Sequence, residues 1–191
     1  PVLPDFYRAV HVARSPIVAV TGSNGKTTTT TLIGRIFVDA KRNHAVAGNI
    51  GTAFSSVVLG LDEKDVAVLE VSSFQLDHCE TFRPKVSVIL NITPDHMDRY
   101  GNSMEAYAAS KARVFMNQTS DDYLIYGADD EWTLRAIESA RCRKIAFSAQ
   151  KKLSEGAFVE NGTLTTVLDG KRTEVIPSDQ STIRGVHNLY N

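Results

Sequence analysis

Cysteine is scarce in this chain of 191 residues: Cys79 and Cys142 are the two present, and neither sits in a CxxC pair. A disulfide-stapled scaffold and a thiolate metal knuckle are therefore excluded, and the pair reads as reduced thiols of a cytoplasmic protein. Long apolar runs are missing too, so no membrane span is expected, and PVLPDFYRAV lacks the layout of a signal peptide. Neither sign of charge dominates: 21 Lys and Arg stand against 22 Asp and Glu, with no basic stripe. That balance argues against an extended nucleic-acid footprint, and no nucleic-acid partner is expected. Repeats and low-complexity stretches are absent. The length suffices for one substantial domain with a small appendage.

Against these absences stands one dense motif, Pro16–Thr30, PIVAVTGSNGKTTTT. A short apolar run stops at a glycine-rich turn that opens into a helix through Lys26 and Thr27. Gly22 and Gly25 let the backbone approach an anion, and the free N–H groups of the helix start point at it. Lys26 can reach terminal phosphates and the Thr27 hydroxyl can hold Mg²⁺. The usual phosphate-loop spacing wants glycine at position 20, where this chain has Val20, so the loop is a shortened variant. Thr28–Thr31 are poor helix formers, which argues against a segment selected for helix stability.

Short apolar strands alternate with helical patterns through most of the chain. Ile17–Val20 leads to a helix with Leu32, Ile33, Ile36 and Phe37 on one face. His44–Ala47 ends at the turn Gly48–Gly51, Val66–Leu69 ends in Glu70, and Val86–Leu90 ends in Asn91. The loop 92–101 precedes a helix over Ser103–Asn117 that Asn102 can cap, with Glu105 three residues later. Tyr123–Tyr126, a helix over Asp130–Ala140, and Lys144–Phe147 follow. This order predicts an α/β fold with a mainly parallel sheet flanked by helices. After Ser148, Asn161-Gly162 and Asp169-Gly170 bracket the run Thr163–Leu168, predicting a small antiparallel meander at the sheet edge.

In open α/β sheets, ligands lie beyond the carboxyl ends of the strands. Three such ends carry suitable chemistry: Lys26 and Thr27, then Glu70, then the loop Thr93-Pro94-Asp95-His96-Met97-Asp98. Mg²⁺ prefers carboxylate and hydroxyl oxygens, which suits Thr27 and Glu70. His96 has two readings, a hydrogen-bonding surface residue or a metal ligand, and imidazole is a poor ligand for Mg²⁺. Lys111 shares the stripe of Met104, Tyr107, Val114 and Phe115. It is either a snorkelling lysine or one aimed inward, where its pKa falls.

The segments TGSNGKTT, GNIG, LEVSSFQL, LNITPDHMDRY, SKARVF and GVHNLYN, in this order, resemble the central domain of the bacterial Mur ligases. The resemblance covers essentially the whole chain. Glu70–Leu76 is its discriminating piece: sister ligases and folylpolyglutamate synthase are similar at the phosphate loop but differ after the strand glutamate.

The resemblance implies a nucleotide site of Gly22, Ser23, Asn24, Gly25, Lys26, Thr27 and Thr28, with Asn188 and Asn191 approaching the adenine. It implies ATP and two Mg²⁺ ions, one held by Thr27 and Glu70. The second would be held by His96 and by Lys111 carbamylated by CO₂. Asn49 and Ser72 would face the sugar nucleotide and the reacting centre. The implied reaction is ATP-dependent addition of D-glutamate to UDP-N-acetylmuramoyl-L-alanine through an acyl phosphate, in cytoplasmic peptidoglycan precursor synthesis. Residues 1–15 would be a remnant of a linker from a missing N-terminal domain. Residues 16–191 would be the central ATP-binding domain, with 148–185 its antiparallel part, and the C-terminal ligase domain would be absent. Such a piece is expected to lack turnover alone. The alternatives are another Mur-type or folylpolyglutamate-type ligase, a non-catalytic nucleotide-binding module, or a phosphate-loop kinase or GTPase.

Overall fold

The computed structural model describes residues 2–180. Valine- and isoleucine-rich segments form the strands β1 (Ile17–Thr21), β2 (His44–Gly48), β3 (Val66–Glu70), β4 (Val86–Ile89), β5 (Tyr123–Gly127) and β6 (Arg143–Ser148). All six lie parallel, in the order β2-β3-β1-β4-β5-β6. The chain continues into β7 (Gly156–Glu160), β8 (Thr163–Leu168) and β9 (Lys171–Pro177), an antiparallel meander. Its first strand pairs parallel with β6, so the meander extends the main sheet, giving nine strands in all.

The two sheet faces are covered unequally. One carries the large core, in which Ile17, Ala19, Leu69, Ile89 and Leu124 meet α1 (Val2–Val12), α3 (Phe54–Val57) and the later helices. From α1, Phe6 and Ala9 are buried in it. The other face is thinner: Val20, Val88 and Leu90 pack with Ile33 of α2 (Lys26–Asp39) and with Ile125 and Phe147.

Helix α2 departs from expectation in the face it buries. Thr29, Thr30 and Gly34 are its buried residues, and Ile36 is 65% exposed. The helix approaches β2 so closely that a Cβ on Gly34 would lie 2.4 Å from Val46 Cγ2. Small and β-branched residues therefore form the contact, and Thr30 Oγ1 satisfies itself on Lys26 O at 2.7 Å. Thr29 and Thr30, in the middle of the threonine run, belong to this packing surface.

Helix α5 (Met104–Ala112) starts one residue later than predicted. Ser103, not Asn102, accepts the Ala106 N–H, because Asn102 is in the left-handed region at φ 58. It also ends earlier, tightening into a 3₁₀ turn over Arg113–Phe115. Between β3 and β4 lies the single turn α4 (Ser73–Leu76). Helix α6 (Glu131–Ala136) is shorter than predicted, since the Glu138 and Ala140 amides bond three residues back rather than four.

Candidate functional site

Strand β1 delivers Thr21 into the turn 22–25, and α2 begins at Lys26. Gly22 is needed because a Cβ there would lie 3.1 Å from Leu90 Cβ, and Gly25 because φ is 86. No side chain caps α2, so its first amides face outward from the turn. The Lys26 ammonium curls back, donating to Gly22 O at 2.8 Å and Ser23 O at 2.8 Å. Lys111, from α5, donates to the same Gly22 carbonyl at 2.9 Å. Two lysines 85 positions apart in the chain (111 − 26) thus converge on one oxygen.

Lys111 is 2% exposed, so of its two readings the inward one holds. The Tyr107 ring lies 4.5 Å from its Nζ. Burial first, and the neighbouring Lys26 charge second, lower its pKa to about 7, while Asp95 and Asp77 oppose the shift. Burial likewise lowers the pKa of Lys26, against the pull of Glu70 and Asp95.

The loop after β4, marked in the sequence as a candidate, grips the phosphate loop through Asn91 and Thr93, to which pattern reading gave no individual role. Asn91 accepts the Ser23 N–H on its carbonyl at 2.9 Å and the Asn24 N–H on Oδ1 at 2.9 Å. Ser23 Oγ donates to Thr93 O at 2.7 Å and accepts the Thr93 N–H at 2.9 Å. The Tyr107 hydroxyl meets Ser23 Oγ at 3.1 Å. A usable signal for Tyr107 was its place one helical turn before Lys111.

At the end of β3, Glu70 is 3% exposed yet accepts from two sides. Thr27 Oγ1 donates to its Oε2 at 2.7 Å, and Asn49 Nδ2 to its Oε1 at 3.2 Å. The backbone joins them too, with Asn49 N donating to Glu70 O at 2.8 Å. This pairing requires Gly48, because a Cβ there would lie 2.1 Å from Glu70 O. Ser72 caps α4 reciprocally with Gln75: its Oγ accepts the Gln75 N–H at 3.3 Å, and Gln75 Oε1 accepts the Ser72 N–H at 3.0 Å. One hydroxyl beside one carboxylate suits Mg²⁺ shared with a phosphate, which takes few protein ligands and keeps its waters.

His96 stands apart from this group. Its backbone is left-handed at φ 50, its ring meets Phe74 edge-on at 5.1 Å, and its Nε2 lies 3.7 Å from Asp95 Oδ2. Among the described residues no hydrogen bond or ion pair joins it to Lys111 or Glu70, and no cluster of three or more His, Cys, Asp or Glu is placed for a metal. Asn188 and Asn191 lie outside the described residues.

Residues 20–191 match the family model described as Mur ligase middle domain. Among curated proteins, the chain is 50% identical over its whole length to UDP-N-acetylmuramoylalanine--D-glutamate ligase of Pelotomaculum thermopropionicum, spanning 42% of that protein. It is 45% identical to the protein of the same name from Salinibacter ruber, over 98% of the chain and 44% of the relative. The chain thus spans less than half the length of these relatives. Among solved structures, MurF from Acinetobacter baumannii matches 97% of the chain and 42% of its own length, at TM-score 0.70 and 20% identity. Escherichia coli FolC, solved with ADP, matches 98% of the chain and 55% of its own length, at TM-score 0.64 and 14% identity. These two likenesses establish the α/β fold. No helix among the described residues is long and apolar enough to cross a membrane.

Proposed function

The chain belongs to the Mur ligase middle-domain family, and from that membership we propose that it is the ATP-binding unit of a cytoplasmic D-glutamate-adding ligase. Its acceptor would be UDP-N-acetylmuramoyl-L-alanine. The remaining domains of such an enzyme would bind the uridine end and the incoming amino acid. The observation that carries the reading is the convergence of Lys26 and Lys111 on Gly22 O, beside the Thr27–Glu70 pair. The names of the curated relatives support the choice of amino acid.

In this reading the acceptor carboxylate attacks the γ-phosphate, giving an acyl phosphate and ADP. The amine of D-glutamate then displaces phosphate. Attack by one anion on another needs charge neutralised and reactants aligned, and little else. Lys26 leaves its two carbonyls and donates to the transferred phosphoryl group. Ser23, Asn24, Gly25 and Thr28 line the phosphate site, while Asn91 and Thr93 fix the loop's shape. Thr27 and Glu70 would hold Mg²⁺, which supplies positive charge against the phosphate oxygens. Asn49 and Ser72, beside Glu70, would face the acceptor, and Asn188 and Asn191 the adenine.

Lys111 fits a carbamate in one respect: with a pKa of about 7 its amine is largely uncharged at pH 8, the form that adds CO₂. The carbamate would join His96 at a second metal, and Asp95, whose charge acts on both lysines, would border it.

The test is a calorimetric titration of the protein with Mg²⁺ and a non-hydrolysable ATP analogue, beside Lys26→Ala. Binding that is lost in the variant is expected. Equal binding by both proteins would overturn the phosphate-loop assignment. In the intact protein, product formed with another amino acid but not with D-glutamate would overturn the substrate.

A further inference from the structure

We propose that Asp130 is a positioning residue for the phosphate site: it clamps the β4 loop to the start of α6 and so holds the phosphate loop in its binding shape. The proposal rests on the nucleotide-binding reading above and adds a residue outside the segments quoted in the sequence analysis. Asp130 is the N-cap of α6, accepting from Trp132 N at 3.2 Å and Thr133 N at 3.1 Å. A cap needs no more than this. Its Oδ2 also accepts the Ile92 N–H at 2.6 Å, from a segment 38 residues away, and the Thr133 hydroxyl at 2.5 Å.

Ile92 lies between the two residues that grip the phosphate loop. Asn91 binds Ser23 and Asn24, and Thr93 binds Ser23. The Ile92 side chain is fully buried in the core, and the Asp130 carboxylate satisfies its backbone N–H. The approach is close at a second point as well: a Cβ on Gly127 would lie 2.4 Å from Leu90 O. A path of hydrogen bonds therefore runs from α6 through Ile92 and Asn91 to the amides of Ser23 and Asn24.

Two variants of the intact protein separate clamping from capping. Asp130→Ser keeps a good N-cap but is too short to reach Ile92. Asp130→Asn keeps the size, but only one of its two terminal atoms can accept. The measurements are Mg-ADP affinity by calorimetry, melting temperature, and hydrogen exchange of the Ser23 and Asn24 amides. We expect Asp130→Ser to bind Mg-ADP roughly tenfold more weakly, as loss of a charge-assisted hydrogen bond implies. Its melting should fall by a few degrees, since the Ile92 N–H loses its acceptor, with faster exchange at both amides and Asp130→Asn in between. Affinity within twofold of wild type in both variants, with unchanged exchange, would overturn the clamp. If the wild type itself does not bind, the phosphate-loop reading falls, and the exchange of Ser23 and Asn24 alone decides the clamp.

Discussion

The two ends of the parallel strands carry similar charged groups and treat them in opposite ways. At the amino ends three cations meet carboxylates: Arg14 meets Glu63 at 3.3 Å, and Arg83 and Lys85 meet Asp122 at 2.8 and 3.4 Å. At the carboxyl ends, Lys26 and Lys111 have no ion-pair partner among the described residues and rest on backbone carbonyls. Negative charges act on them without an ion pair, Glu70 and Asp95 on Lys26, and Asp95 and Asp77 on Lys111. A cation that is buried and held but not neutralised keeps its electrostatic work for an arriving anion. Matched charge marks the structural end of this sheet, and unmatched charge the chemical end.

The contrast breaks most sharply at Lys26. In the intact protein, Lys26→Ala should lower ligase turnover by roughly a thousandfold or more, since it strips charge from the transferred phosphoryl. Ample remaining turnover would place Lys26 with the structural charges. Lys111→Ala should lose roughly a hundredfold or more and recover in part with short carboxylic acids that replace a carbamate. Loss without rescue would remove the carbamate from the mechanism. Glu70→Gln should raise the Mg²⁺ concentration needed for half-maximal rate roughly tenfold, because one anionic ligand becomes neutral. An unchanged Mg²⁺ dependence would take Glu70 out of the metal site.

At the amino end, Asp122→Ala should cost about 1–2 kcal/mol of stability by denaturant unfolding, a figure discounted because Arg83 and Lys85 are about half exposed. Nucleotide affinity should stay unchanged; a matching loss of affinity would dissolve the distinction between the two ends. The two ends also titrate in different pH windows, though with the same sign. Burial pushes the Asp122 carboxyl up, but hydrogen bonds from Arg83 and the Thr119 amide outweigh it and hold its pKa below 3.8. Its contribution is present above that value and fades as the pH falls below it. Lys111 acts in the same direction at higher pH. Between pH 7 and its ordinary value of 10.5 the unfolded chain binds more protons, so stability rises with pH across that window. In CO₂-free buffer Lys111→Met should flatten that rise, and a slope equal to wild type would show that the amine is solvated.

The alternation of strands and helices was readable along the chain because each strand is a short β-branched run with a turn signal after it. The antiparallel meander was readable for the same reason, from Asn161-Gly162 and Asp169-Gly170. What pattern reading missed were contacts between segments distant in sequence. The buried face of α2 escaped it because Gly34 against Val46 sets the approach, and no hydrophobic period records that closeness. Lys26, Thr27 and Glu70 stand out as residue types at strand ends. Asn91 and Thr93 lie in a segment that the sequence marks, but their contacts run largely through backbone groups, so their individual roles are not legible there. The helix cap at Ser103 moved by one residue because Asn102 took the left-handed turn.

Gly48 contributes no functional group, yet the 2.1 Å approach of its missing Cβ to Glu70 O ties its fate to that carboxylate. Any side chain there must push β2 off the end of β3 and carry Glu70 and Asn49 with it. In a saturation-mutagenesis selection for growth, the position should tolerate substitution as poorly as Lys26 does, although it touches no substrate. The tolerance map of this domain would then mark as essential a residue whose whole role is to take up no room.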